Sequence, residues 1–202
     1  MKNQYDEKYA QASYYWGVKP SHICFEVLKR MPPDRRLKLL DIGCGEGRNA
    51  VFFARNGYDV TAFDLSAMGV EKTRRLAEQV GVKVELFEAN LNEFRLSERF
   101  DVLFSTGVLH YIPQALREEV LENYKAFTSS GGLNVFTVFV KKPFIRKAPD
   151  AEQTAHKWIS GELFTHYHDW RIEYCTEEIF DCNSGRKPHQ HAVNRLIAKK
   201  MT

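Results

Sequence analysis

Asp41, Gly43, Gly45, Gly47 and Arg48 crowd into the stretch LLDIGCGEGRNA, residues 39–50. Three glycines in five positions strip the backbone bare, so the chain can turn sharply and a ligand can lie against the main chain. A loop of this kind behind an apolar run, where a first strand passes into a first helix, is the place at which open α/β sheets hold cofactors. The spacing then selects among cofactors. Dinucleotide-binding turns follow G-x-G-x-x-G, and the third glycine of that pattern would fall on Arg48. An acid two residues ahead of the first glycine would repel a pyrophosphate, whereas it would accept hydrogen bonds from an ammonium. S-adenosylmethionine carries an ammonium and a sulfonium and no phosphate. About 20 residues on, Asp64 ends a second apolar run, the position of an acid that grips ribose hydroxyls. Nicotinamide and adenosyl cofactors both want that acid, so the glycine spacing and Asp41 decide for S-adenosylmethionine. A ligand-free glycine turn is the plain alternative, although structural turns seldom need so many glycines.

Other groups of possible chemical use lie outside this loop. Arg48 carries a permanent charge that suits a cofactor carboxylate or an anionic substrate. At the first turn of a helix that charge is electrostatically unfavourable, which argues for a use. Tyr5, Tyr9, Tyr14, Tyr15 and Trp16 precede the first long helix. Aromatic faces suit a sulfonium and could close a site against water; docking on the core is the other reading of the same residues. His110, His189 and His191 are candidate bases, and His166 and His168 stand between them. His189 and His191 would share one face of a strand. A metal would need a third ligand, the sequence identifies none, and no metal is expected.

These groups must be positioned by secondary structure. Residues 21–30 put Ile23, Val27 and Leu28 on one helical face behind Ser21, and Pro32-Pro33 stop the helix. Runs at 37–43, 58–66, 83–94, 99–112 and 133–140 predict strands. Helices are expected at 48–57, 67–81 and 113–132, the last leaving through Gly131-Gly132. Strand and helix alternate, which argues for a doubly wound, mostly parallel sheet covered on both faces. Beyond residue 140 the rhythm breaks. Residues 141–150 predict a loop and 158–170 a short helix. Runs 170–180 and 191–200, linked by CNSGRKP, predict an antiparallel strand pair, for seven strands in all. One domain is expected over 1–202: an N-terminal lid and helix to residue 33, a cofactor-binding core at 37–140, and a substrate-side segment at 141–202.

The 202 residues are 44% hydrophobic and 27% charged, with a net charge of +3. No concentrated basic stripe stands out, which argues against a nucleic-acid partner. The four cysteines form no C-x-x-C pair, the N-terminus is polar and aromatic, and no apolar run approaches the roughly 20 residues of a membrane span. The expectation is a cytoplasmic protein with free thiols, no membrane contact and a small-molecule substrate. Oligomeric state is not readable.

Residues 37–140 resemble class I S-adenosylmethionine-dependent methyltransferases. The likeness runs in order through DIGCGEGRNA, VTAFDLS, FEANLNEF, FDVLFSTGVLHYI and SSGGLNVFTV. A closer likeness is to the tellurite-resistance methyltransferase family, through CGEGRNAVFFARNGYDVTAFD, LNEFRLSERFDVLFSTGVL, GEL followed by a Tyr and a Trp, and a terminal LIAKK. The segment YDEKYAQASYYWGVKPS is similar to the lid-like segment of small-molecule methyltransferases. The resemblance implies that Gly43, Gly45 and Gly47 frame the methionine end of the cofactor with Asp41 near its amino group. Asp64 would take the ribose, Leu65, Asn90 and Leu91 the adenine, and Thr106 and Gly107 would lie beside the methyl group. Packing at strand ends is the alternative for Leu65 and Thr106. The family's C-terminal His-Arg pair has no matching position here; His189, His191, Arg186 and Lys187 stand nearby.

The activity so implied is methyl transfer to a small acceptor, a tellurium or selenium oxyanion or a thiol. An ionised acceptor needs placement and a dry site, whereas an alcohol or amine would need a general base. A non-catalytic cofactor-binding sensor and a nicotinamide oxidoreductase are the rival functions.

Overall fold

The computed structural model describes residues 4–146, 155–183 and 187–202. Among them seven strands form one sheet: β1 (Lys38–Ile42), β2 (Asp59–Asp64), β3 (Glu85–Glu88), β4 (Phe100–Thr106), β5 (Thr128–Val140), β6 (Arg171–Cys182) and β7 (His189–Lys199). Their order is β3-β2-β1-β4-β5-β7-β6. The first five are parallel, and β7 runs antiparallel to both β5 and β6. The carboxyl ends of β1, β2, β4, β5 and β6 therefore share one edge with the amino end of β7. The expected doubly wound sheet with an antiparallel C-terminal pair is what forms.

Strand residues alternate between the two faces, as the two-residue period requires. Leu40, Ile42, Phe63, Leu103 and Val138 pack on one face against α5 (Arg117–Ala126) and the buried Trp158. Leu39, Val60, Val102, Phe104 and Val135 pack on the other against α2 (His22–Arg30) and α3 (Arg48–Arg55). Burial on both faces explains why these strands are continuous apolar runs. Further along, α4 (Ala67–Gln79) carries Leu76 and Ala77 against Val51 of α3. Two short helices remain, α1 (Gln4–Tyr9) and α6 (Glu162–Thr165).

Several expectations need correction. The helix predicted over 113–132 is a single 3-10 turn, Gln114–Leu116, followed by α5, which ends at Ala126. The Thr128 hydroxyl donates to the Tyr124 carbonyl at 2.7 Å, satisfying that helix end before any glycine is reached. Gly131 and Gly132 lie inside β5, where the amide of Gly131 donates to Lys200 and the amide of Lys200 to Gly132. There the register between β4 and β5 slips, between Phe100 and Val102. A Cβ on Gly132 would sit 2.7 Å from the Asp101 carbonyl oxygen, so that glycine lets two backbones meet at the irregularity.

β4 stops at Thr106, and a 3-10 turn at Leu109–Tyr111 replaces the rest of the predicted strand. β3 is four residues long instead of twelve. Of the helix expected at 158–170 only α6 forms, because Trp158 is drawn into a bridge with Val140 and its indole donates to the Leu109 carbonyl. Ser21 occupies the N-cap of α2 without a side-chain cap bond. Residues 147–150 of the predicted loop, and Ser184–Arg186 of the predicted turn, lie outside the described residues.

Replacing Gly132 by Ala should drive a methyl into backbone atoms that cannot retreat independently. The expected loss is about 1–3 kcal/mol, read as a lower urea midpoint at unchanged slope.

Candidate functional site

A cleft of about 720 Å³ opens at the carboxyl edge, over the tips of β1, β2 and β4. Of the residues picked out in the sequence, Trp16, Gly43, Gly45, Arg48, Asp64, Leu65, Asn90, Leu91 and Thr106 line it. Asp41 and Gly47 do not.

Four amides of the bare loop are bonded within the protein. Gly43 and Cys44 both donate to the Phe63 carbonyl at 2.9 Å, Gly45 donates to Asp64 Oδ2 at 2.8 Å, and Gly47 donates to the Cys44 carbonyl at 3.0 Å. Asp64 Oδ1 accepts from the Ser66 amide at 2.9 Å. One carboxylate thus ties the tip of β1 to the start of α4, whose cap is Ser66. Burial raises the Asp64 pKa, and the amides of Ser66, Gly45 and Leu65 counter it.

Asp41 lies behind the loop, on the α3 side of the sheet, and is 1% exposed. It accepts from the Ala50 amide in the first turn of α3, and its Oδ2 has no hydrogen-bond partner. A carboxylate therefore already occupies the end of α3 at which a pyrophosphate would bind. Burial, and then the charge of Asp64, push the Asp41 pKa up to about 7, against the pull of Arg48. Gly47 serves packing. Its φ is +88°, and a Cβ there would meet Thr73 of α4 at 2.6 Å. The expectation that Gly47 frames a ligand is corrected to a helix-to-helix contact.

The N-terminal segment roofs the cleft. Lys72 Nζ meets Glu46 Oε1 at 2.6 Å, both side chains being nearly sealed from water, and also donates to the carbonyls of Gln11 and Ser13. Glu46 Oε2 accepts from the Trp16 amide. The Trp16 indole donates to the Tyr9 hydroxyl at 3.0 Å, and Arg48 donates to the Trp16 carbonyl at 3.1 Å. Ser66 and Asp6 join at 2.5 Å, and the hydroxyls of Tyr5 and Tyr111 at 2.7 Å. Tyr5, Tyr9 and Trp16 face the cleft; Tyr14 covers Lys72, and Tyr15 packs edge-on against Trp16.

Beneath this roof, Asn90 spends its side chain locally, accepting from the Asn92 amide and donating to Glu93. One lone pair of its carbonyl remains for a ligand. Thr106 accepts from Asn49 Nδ2 at 3.1 Å, while Asn49 Oδ1 takes the Ser21 amide and the Cys24 thiol. Asn49, Glu46 and Lys72 were missed in the sequence. Their signal is weak: Asn49 and Lys72 are polar residues at helical positions that turn out buried, and Glu46 stands between two glycines of the loop.

The candidate histidines do not reach the cleft. His110 is buried with Nδ1 unpartnered, and burial, then Lys157, lower its pKa to about 3, so the ring is neutral. The ring of Phe139, which lines the cleft, stands against both His110 (5.0 Å) and His191 (4.9 Å). His189 and His191 both lie in β7 with Nε2 atoms 2.9 Å apart. No helix among the described residues is long and apolar enough to cross a membrane.

The family model of tellurite resistance protein TehB matches residues 2–190. The chain is 26% identical to "Probable S-adenosyl-L-methionine-dependent methyltransferase TehB" of Haemophilus influenzae, across 68% of this chain and 47% of that protein. It is 29% identical to the ubiquinone biosynthesis O-methyltransferase of Cereibacter sphaeroides, across 74% of this chain and 59% of that one. The crystal structure of TehB from Haemophilus influenzae aligns with a TM-score of 0.78 at 20% identity, over 97% of this chain and 65% of the other. The chain spans about half the length of the curated relatives it matches.

Two outcomes follow from this geometry. Because the folded Asp41 holds its proton to about pH 7, the unfolded chain releases it first. Stability from this group is therefore full below the ordinary carboxylate range and is lost as pH rises toward 7. Asp41→Asn should gain on the wild type between about pH 4 and pH 7, with a constant gap above, in urea midpoints taken across that range. Lys72→Met should leave Glu46 buried without its counter-charge, at a cost of about 3–5 kcal/mol, and speed proteolysis around residues 11–16.

Proposed function

The chain belongs to the tellurite resistance protein TehB family, and from that premise we propose that it transfers a methyl group from S-adenosylmethionine to a small, already ionised acceptor. The acceptor class is a tellurium or selenium oxyanion or a thiolate. One observation carries the cofactor assignment. The amides of Gly43, Cys44, Gly45 and Gly47 are bonded within the protein, and a carboxylate sits at the end of α3, so the loop suits a cation and not a diphosphate.

The fit is specific. The spare lone pairs of the Asp64 carboxylate, which lines the cleft, would accept from the ribose hydroxyls. Leu65, Asn90 and Leu91 would border the adenine, and Arg48 would meet a carboxylate or an anionic acceptor. When bound, the cofactor supplies an electrophilic methyl group on a cationic sulfur. Tyr5, Tyr9 and Trp16 would exclude water around it and turn aromatic faces toward the charge.

The lining toward β4 and β5 supports the acceptor class. Asn49, Thr106, Gly107, Val108, Tyr111 and Phe139 include no carboxylate and no imidazole. A nucleophile that arrives ionised needs no base there, and its remaining requirement is alignment. A hydroxyl acceptor such as a phenol would need a proton acceptor.

At 100 times its dissociation constant, S-adenosylhomocysteine should stabilise the chain by about 2.7 kcal/mol, and NAD should not. Asp64→Asn should weaken cofactor binding tenfold or more by calorimetry. An unmoved melting temperature overturns the cofactor reading. Labelled methyl appearing on phenols, and on neither tellurite, selenite nor thiols, overturns the acceptor reading alone.

A further inference from the structure

We propose that Cys182, His189 and His191 form a binding site for a zinc-class divalent cation, separated from the cleft by the ring of Phe139. Two ligands in H-x-H are too few for a metal. The hairpin supplies the third. In the register of β6 and β7, Cys182 faces His189 and Phe180 faces His191, which brings the thiol beside both imidazoles at the carboxyl edge of the sheet. The Sγ atom and one nitrogen from each ring all lie within 4.8 Å of one another. A tetrahedral zinc with ordinary Zn–N and Zn–S bonds holds such atoms about 3.3–3.6 Å apart, so closing the set takes only side-chain adjustment.

The surroundings also favour a metal. His189 Nδ1 lies 2.7 Å from the Lys187 carbonyl. A carbonyl can only accept, so Nδ1 carries the proton and Nε2 is left with its lone pair. That second bond, which fixes tautomer and ring direction, is the support that metal-ligating histidines usually have. The lone pair points at His191 Nε2, 2.9 Å away. His191 is held between Phe139 and Phe180, with ring centroids at 4.9 and 5.7 Å, and all three ligands are half-buried. One thiolate and two imidazoles suit zinc over calcium or magnesium. On binding, sulfur and two nitrogens bond to the cation, the thiol proton leaves to solvent, and the proton that His191 Nε2 donates to His189 Nε2 moves to His191 Nδ1. Three protein ligands leave a fourth position for water or an anion.

This inference is independent of the methyl-transfer reading and is tested without any methyl acceptor. The full chain, stripped with a chelator, is titrated with Zn2+ against a chromophoric competitor and separately with Co2+. One equivalent of Zn2+ should bind, and the Co2+ form should show a thiolate-to-cobalt charge-transfer band in the near ultraviolet. Cys182→Ser, a near-isosteric change, should abolish that band, and His191→Ala should weaken Zn2+ binding tenfold or more. Both variants should keep the urea midpoint of the chelator-stripped wild type, which separates loss of the metal from loss of the fold. Failure to bind one equivalent overturns the proposal. So does Zn2+ affinity unchanged in both variants.

Discussion

Lys72 and Glu46 meet under the glycine loop with almost no water around them, and the ammonium has no proton to spare. Its three donors go to Glu46 and to the carbonyls of Gln11 and Ser13, while the second oxygen of Glu46 takes the Trp16 amide. A stretch with little regular structure of its own is thereby held at three points by one ion pair. A buried pair adds little stability beyond what apolar side chains would. What it adds here is position, since Tyr9 and Trp16 face the cleft only while residues 11–16 stay down.

Three acids surround the same loop, and each is handled differently. Glu46 has a full counter-charge, Asp64 has backbone amides, and Asp41 has one amide and an idle oxygen. Burial raises the pKa values of both Asp41 and Asp64, helped by the charge of Asp64 at the first and of Asp6 at the second. Such a cluster is ill at ease on its own, and a cationic ligand relieves it. The same arrangement repels anions from the loop itself, leaving Arg48 as the basic side chain of the lining.

Much of this was legible because the sheet is buried on both faces. Leu39–Ile42, Tyr58–Asp64 and Leu133–Val140 had to be apolar runs, and the acids and glycines interrupting them marked strand tips. Legibility failed where long-range pairing overrode local preference. Gly131-Gly132 looks like a helix exit because glycine ends helices, yet Lys200, distant in sequence, claims its backbone for β5. The segment at 158–170 has a helical pattern, but the bridge from Trp158 to Val140 consumes its start. In the site, Asp41 was placed near the ligand on spacing and on the family resemblance, and Gly47 on the resemblance. Spacing could not tell which way the β1 tip turns its side chains, or that α4 lies against Gly47. The partnership of Cys182 with His189 and His191 was hidden for a related reason: it exists only in the hairpin register.

The sheet has two open margins, and their composition has a bearing on solubility. At one margin, among the described residues, β6 leaves a row of backbone donors and acceptors facing outward, with Glu173, Glu177, Glu178 and Asp181 spread along its twelve residues. At the other, β3 is four residues long and carries Glu85 and Glu88 at its ends. A second copy of the chain trying to extend the sheet would meet charged side chains, three of the acids already paired with Arg30, Lys142 and Arg195, on one side and too short a template on the other. Strand-by-strand aggregation is thus opposed at both borders, despite a core rich in the β-branched and aromatic residues that drive it.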